Sequence, residues 1–227
     1  MIGGGLHVYI TLVALLLSRA YVHALAVPAD LETREAGSKY CTTSGSASIC
    51  FAEFSSSPSN PTFRLAVPDK SAAPFDTLLQ IIAPVSLGWA GFAWGGGMIG
   101  DPLTLGWPNG NKVTVSSRWA TDRTVPAAYR GATYTTLSSS KNATHWSLEV
   151  VCSGCSSWSG GKLSTTDINT FAWAVSKNAV SQPASNASSF SIHTNVGMFT
   201  VDPGVAKVSQ SSFDQYVAAQ KAAPKLA

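Results

Sequence analysis

Once an amino-terminal leader is set aside, two methionines, Met98 and Met198, and two histidines, His145 and His193, remain as soft or imidazole donors. A zinc or copper site built on imidazoles needs both histidines together. Strand alternation over residues 145–152 puts Trp146, Leu148, Val150 and Cys152 on one face and turns His145 outward beside the sequon Asn142-Ala143-Thr144. Met98 closes the run Trp94-Gly95-Gly96-Gly97-Met98. Three glycines in a row let backbone come close to a bulky planar ligand, with a thioether at the end. A glycine-rich turn whose methionine fills a core gap fits the same residues, and spacing does not decide between the two.

Other chemistry is thinner. There is no Gly-x-Ser-x-Gly elbow and no Cys/His nucleophile pair. Glycine fingerprints for phosphate are absent, because Gly3 to Gly5 and Gly95 to Gly97 lack the required flanking residues. A two-carboxylate hydrolase drawn from Glu53, Asp69, Asp76, Asp101, Asp122, Glu149, Asp167, Asp202 and Asp214 stays open, with no motif behind it. Cys41, Cys50, Cys152 and Cys155 form an even set, and sequence-local bridges Cys41–Cys50 and Cys152–Cys155 are preferred among the three connectivities. Cys152-Ser-Gly-Cys155 lacks the βαβ context of a thioredoxin-type redox pair.

These groups must be held by β-structure. Short apolar runs broken by Gly, Pro, Ser and Asn predict strands over 49–54, 62–67, 77–83, 87–94, 112–118, 145–152, 171–176 and 190–194. The fold class is all-β, an antiparallel sandwich of two packed sheets. Asn109-Gly110 marks a hairpin between a strand ending near Gly106 and one starting near Lys112. Phe213, Tyr216, Val217 and Gln220 recur at helical spacing behind capping serines, so 204–227 reads as a C-terminal helix or tail.

The 227 residues carry 15 Lys+Arg against 12 Asp+Glu, a formal +3 that becomes +2 when Arg19 leaves with the leader. So weak a balance excludes nucleic acid as the main partner. Val8 to Leu17 is an apolar run too short for a membrane span, and Ala24-Leu25-Ala26 supplies a small-x-small cleavage site. Residues 1–26 are therefore expected to be a signal peptide, 27–39 a flexible lead-in, and the product secreted, with no membrane anchor. Asn142 and Asn186 sit in sequons, as secretion permits, whereas Asn60-Pro61-Thr62 is spoiled by its proline.

Several blocks in order carry a resemblance: Ile82-Ala-Pro-Val85, Trp89-Ala-Gly-Phe-Ala93, Gly95-Gly-Gly-Met98, Gly106-Trp-Pro-Asn-Gly-Asn111, Ser116-Ser-Arg-Trp-Ala-Thr121, Thr144-His-Trp146, Cys152-Ser-Gly-Cys155, Phe171-Ala-Trp-Ala174 and Ser191-Ile-His-Thr194. From about Tyr40 to Val201 the chain resembles the extracellular cytochrome domain of fungal cellobiose dehydrogenases and related free-standing cytochromes. The resemblance implies an immunoglobulin-like sandwich over 40–203 holding one b-type haem. By the same resemblance the axial ligands are Met98, from the glycine-rich loop that includes Gly97, and His193, from the Ser-x-His-Thr motif. Ser156 rather than histidine follows Cys155, so covalent c-type attachment is excluded. Thioether and imidazole on opposite faces leave the iron no vacant position, which suits electron transfer. The pocket is expected to draw on Trp89, Phe92, Trp94, Trp119 and Phe171, each equally explicable as sandwich core. Arg123 stands where related domains can carry a tyrosine, and a contact to a haem propionate and a solvated loop arginine beside Asp122 fit it equally.

The implied function is single-electron transfer from an extracellular flavin or quinone sugar dehydrogenase to a copper polysaccharide monooxygenase or ferric iron. The chain, without a flavin catalytic domain, would act as a monomer through encounter complexes. The rival reading is a haem-free carbohydrate-binding sandwich whose seven tryptophans supply a sugar platform.

Overall fold

The computed structural model describes Met1, residues 37–70 and residues 72–224. Residues 2–36, which hold nearly all of the expected signal peptide and lead-in, together with Ser71 and the last three residues, lie outside the described residues.

Strands β1 (Ser38–Ser44) and β2 (Ala47–Ser55) pair as a hairpin that sets Cys41 opposite Cys50, and the two are bridged. β3 (Thr62–Pro68) and β4 (Thr77–Pro84) extend this sheet. β5 (Trp89–Ala93), β6 (Pro102–Asn109) and β7 (Lys112–Trp119) build a second sheet, with β8 (Ala127–Ala128) beside β7. The chain then returns to the first sheet with β9 (Thr133–Lys141) and β10 (His145–Ser153). Cys152 and Cys155 are bridged just before the small hairpin of β11 (Ser157–Trp158) and β12 (Gly161–Lys162). β13 (Asn169–Ser176) and β14 (Asn195–Val201) complete the second sheet. α1 (Pro203–Ala206), β15 (Lys207–Val208) and α2 (Gln210–Ala222) close the described chain.

The first sheet runs β1-β2-β3-β4-β10-β9, with β15 parallel to β3, and the second runs β14-β13-β5-β6-β7-β8. This is the antiparallel sandwich the sequence predicts. Period-two alternation explains the packing: Phe63, Leu79, Ile81, Trp146, Leu148 and Val150 of one sheet meet Phe92, Trp94, Phe171 and Phe199 of the other. Burying each such side chain contributes on the order of 1.5–3 kcal/mol.

Both sheets also carry an apolar cluster on their outer faces. On the first, Ile49, Phe51, Ala66, Leu78 and Val151 lie under Phe213 and Tyr216 of α2, whose start is capped by the Ser209 hydroxyl accepting from the Ser212 N–H at 3.1 Å. On the second, Trp89, Leu103, Leu105 and Trp107 form a separate apolar cluster.

Two expectations change in detail. The loop of the β6–β7 hairpin is Gly110-Asn111, between the paired Asn109 and Lys112, and Gly110 takes φ 61°. A positive φ at the first loop residue only matches the sign pattern of a type II′ turn, where glycine is demanded. Residues 190–194 are not a strand. Phe190 is held edge-on against Trp89 at 5.2 Å between ring centroids, which keeps the segment a docked loop until β14 begins at Asn195.

Candidate functional site

Alternation leaves the outer face of the second sheet with a stripe of small side chains. In register, Ala172 of β13 lies between Ala93 of β5 and Met198 of β14, and Ala174 lies between Gly91 and Val196. Ala172 and Ala174 are only half-buried although β13 is an interior strand. Val196 is 53% exposed, Met198 42%, Ile99 50% and Ile192 80%. So much uncovered apolar surface around a flat floor of glycine and alanine is what a large planar apolar group would cover. Trp89, in the adjoining cluster, has a buried indole N–H with no hydrogen-bond partner.

Met98 stands at one end of this shelf, because the turn that carries it follows directly from Ala93. Its side chain packs half-buried against the outer cluster. Gly95 and Gly96 of the turn are demanded by the chain's own packing. Asp101 folds its carboxylate back inside the turn and accepts the Gly97 N–H at 2.9 Å. A Cβ on Gly95 would collide with that carboxylate, and one on Gly96, which has φ +86°, would collide with Thr170. Burial pushes the Asp101 carboxyl up from its ordinary value, against the lowering effect of the Gly97 N–H and the nearby Trp158 indole. The turn is then tied to β7: Ile99 bridges Ala120, and the Gly100 N–H donates to the Ala120 carbonyl at 3.0 Å.

His193 stands at the other end. The Thr194 N–H donates to the Val175 carbonyl at 2.7 Å, and Val175 is opposite Ala90. Ala90 and Ala93 are three residues apart, so the attachment points of the two loops are separated by about 10 Å at a strand rise near 3.3 Å. The imidazole is exposed and makes no hydrogen bond with the described residues.

The loop leading to His193 is sewn onto β6 and β7. The Pro183 carbonyl accepts from Trp107 Nε1 at 2.9 Å and from Thr114 Oγ1 at 2.6 Å. The Asn186 carbonyl accepts from Ser116 Oγ at 2.5 Å and from Arg118 Nη2 at 3.0 Å. Arg118 is 5% exposed and has no carboxylate partner among the described residues, and burial pushes its guanidinium below its ordinary value.

Several expected site residues lie elsewhere. Trp94 is fully buried between the sheets, with Nε1 donating to Thr104 Oγ1 at 2.8 Å, and Phe92 and Phe171 surround it there. Thr104 also contacts the Tyr134 hydroxyl at 2.6 Å, whose pKa burial pushes up to about 12. Trp94 therefore anchors the start of the Met98 turn from inside and does not face the shelf. Parity explains it, since the outward positions of β5 are Trp89, Gly91 and Ala93. Trp119 lies at the edge of the sandwich, stacked on Tyr129 at 4.9 Å and lining an open groove of about 450 Å³ with Ala127 and Ala128. Arg123 is exposed and unpaired among the described residues, because Asp122 Oδ1 instead accepts the Thr124 N–H at 2.9 Å. It lies three residues beyond Ala120, the anchor of the Met98 turn.

Asn142 and Asn186 are exposed, and His145 contacts Thr144 at 3.0 Å on the surface. Sequence reasoning missed Arg118 as more than part of a block, and Met198 as a shelf residue. The signal for Arg118 was a cation on a strand face that alternation makes buried; for Met198 none existed before β14 was placed.

The two-sheet sandwich thus carries a stripe of small residues between a methionine-bearing turn and a histidine-bearing loop. Residues 42–215 match the family described as the cytochrome domain of cellobiose dehydrogenase, and the chain belongs to that family. It is 30% identical over 184 residues to a pyrroloquinoline quinone-dependent pyranose dehydrogenase of Coprinopsis cinerea, covering 78% of this chain and 25% of that protein. The chain thus spans about a quarter of the length of that curated relative. Among solved structures it is similar to the cytochrome b domain of Coprinopsis cinerea pyranose dehydrogenase, at TM-score 0.76 and 27% identity, covering 84% of this chain and 99% of that one. The fold is shared with the cytochrome domain of Myriococcum thermophilum cellobiose dehydrogenase, at TM-score 0.69 and 24% identity over 84% of this chain and 98% of that one.

Proposed function

We propose that this chain is a secreted b-type cytochrome that passes single electrons from an extracellular sugar dehydrogenase to a copper polysaccharide monooxygenase or to ferric iron. The observation that carries the reading is the stripe of small residues, half-exposed at Ala172 and Ala174 beside the buried Gly91 and Ala93, lying between Met98 at one end and His193 at the other. Haem b, held there without covalent attachment, would supply a one-electron iron couple. Met98 and His193 are the residues that would hold its iron. A thioether there would raise the potential above that of an all-nitrogen pair, and the two donors together would leave no open position for substrate.

The remaining residues fix and shield this arrangement. Gly97 and Asp101 hold the Met98 turn through their hydrogen bond at 2.9 Å. Phe190 against Trp89 packs the start of the His193 loop onto the sheet. Arg123, exposed and without a carboxylate partner among the described residues, would meet an anionic edge of the cofactor. The quinone-dependent relative supports a sugar dehydrogenase as donor. No described helix is long and apolar enough to cross a membrane.

The sugar-platform reading fares worse on burial. Trp94, Trp107 and Trp146 are fully buried, Trp89 and Trp173 nearly so, and only Trp119 and Trp158 reach the surface, half-buried, so the tryptophans do not form a shared platform.

The test mixes the purified chain with a sugar dehydrogenase and its sugar, then with each acceptor, and follows the absorbance of the reduced form. Reduction by the dehydrogenase and reoxidation by either acceptor faster than by dissolved oxygen is the expected result. Reoxidation at the oxygen rate with both acceptors would remove the proposal.

A further inference from the structure

Arg118 is a buried cation held entirely by neutral oxygens. Its Nε donates to Ser116 Oγ at 2.7 Å, Nη1 to the Pro126 carbonyl at 3.1 Å, and Nη2 to the Asn186 and Ser188 carbonyls at 3.0 and 2.7 Å. Its guanidinium also stands 5.3 Å from the centre of the Phe190 ring. Burying an arginine without an anion is costly, and here the cost is offset by charge-assisted hydrogen bonds to carbonyls and by the aromatic face.

What those carbonyls belong to matters. Pro126 ends the segment that starts at Ala120, and Ala120 is the anchor of the Met98 turn through Ile99 and Gly100. Asn186, Ser188 and Phe190 belong to the segment that leads into His193. One guanidinium thus grips the segment leading into His193 and the end of the segment that begins at Ala120, the residue to which the Met98 turn is tied.

We infer that Arg118 is a positioning residue that sets the Met98 turn and the His193 loop relative to each other. Only a planar fork with donors in fixed directions reaches carbonyls on two separate segments at once; an ammonium at the same place supplies the charge but not the span. The inference rests on the haem reading only for its consequence, since the grip itself is between protein groups.

The experiment compares amide hydrogen exchange in the purified full chain, wild type against Arg118→Lys in the same state of cofactor loading. Three amides report on the two loops: Gln182 N–H, which donates to Ser188 Oγ at 2.8 Å, Ser188 N–H, which donates to Ser185 at 3.0 Å, and Gly100 N–H, which donates to Ala120. In Arg118→Lys all three should exchange about tenfold faster or more, while amides of the β4–β10 pairing keep their protection. Thr114→Val, which removes only a bond to Pro183, should loosen Gln182 and leave Gly100 unchanged. Should Arg118→Lys fail to fold, Ser116→Ala, which deletes the hydroxyl between Arg118 and Asn186, should show the same pattern more weakly.

Gly100 unchanged when Arg118 or Ser116 is altered would overturn the inference, as would no change at Gln182 and Ser188. A second readout separates this from the ligand assignment. The Arg118→Lys spectrum should lose part of its low-spin fraction, and added imidazole should restore it. Faster exchange without imidazole rescue would keep the coupling and discard His193 as the ligand.

Discussion

At the residue scale, the Met98 turn is built around Asp101 more than around any ligand, and this has a measurable consequence. Gly95→Ala places a methyl where the Asp101 carboxylate sits, so it should weaken cofactor retention strongly, by about tenfold or more. Removing the obstacle in Gly95→Ala/Asp101→Ala should recover part of that loss, as contacting residues in a double-mutant cycle do. Additive losses, measured by haem transfer to a competing apoprotein, would mean that the glycine faces something else. Arg123 gives a second prediction: Arg123→Gln should lower the midpoint potential, because a positive charge near the cofactor edge favours the reduced form. The shift should shrink as salt rises from about 0.01 to about 0.5 M, since the group is exposed. An unchanged potential at low salt would place Arg123 in solvent. At this scale the sequence was legible mainly through resemblance, which singled out Met98 and His193. Trp94 went the wrong way because a five-residue strand buried on both faces shows no alternation from which its inward parity can be read.

At the scale of elements, strands with apolar alternation were legible and those without it were not. β9, sequence TYTTLSSSK, buries only Leu137 under α2 and stands at a sheet edge, so serine and threonine replace the apolar signal. β10 shows what the helix adds. Its inward residues are those alternation predicts, but the opposite set is covered as well, and Glu149 is 4% exposed beneath α2. Burial raises the Glu149 carboxyl, while hydrogen bonds with Gln80, Tyr216 and Ser138 and the charge of Arg64 act the other way. Arg64 is itself paired with Glu53 at 2.6 Å. A folded state that prefers the neutral acid carries its full advantage below the unfolded value of about 4.5 and loses it as pH rises through the higher folded one. Glu149→Gln should therefore match the wild type in urea unfolding near about pH 4 and exceed it in stability near about pH 7.5. Equal stability at both would show that the carboxylate is already compensated beneath the helix.

At the scale of the whole molecule, the two sheets have different outer partners. The first is sealed by its own helix, whereas the second keeps a floor of small residues open between two loops and ringed by exposed Ile99, Ile192, Val196 and Met198. A folded domain leaves such surface uncovered where a ligand or partner completes it. The two thioethers near the floor, Met98 in the turn and Met198 on β14, also make the central assignment decidable. The direct measurement is the visible spectrum, oxidised and reduced, of the chain secreted from a haem-supplied eukaryotic host, alongside Met98→Ala, His193→Ala and Met198→Ala. A low-spin spectrum with sharp reduced α and β bands in the wild type and Met198→Ala, lost in both Met98→Ala and His193→Ala, is the predicted result. A colourless folded protein, or a low-spin spectrum that survives Met98→Ala and vanishes in Met198→Ala, would contradict it.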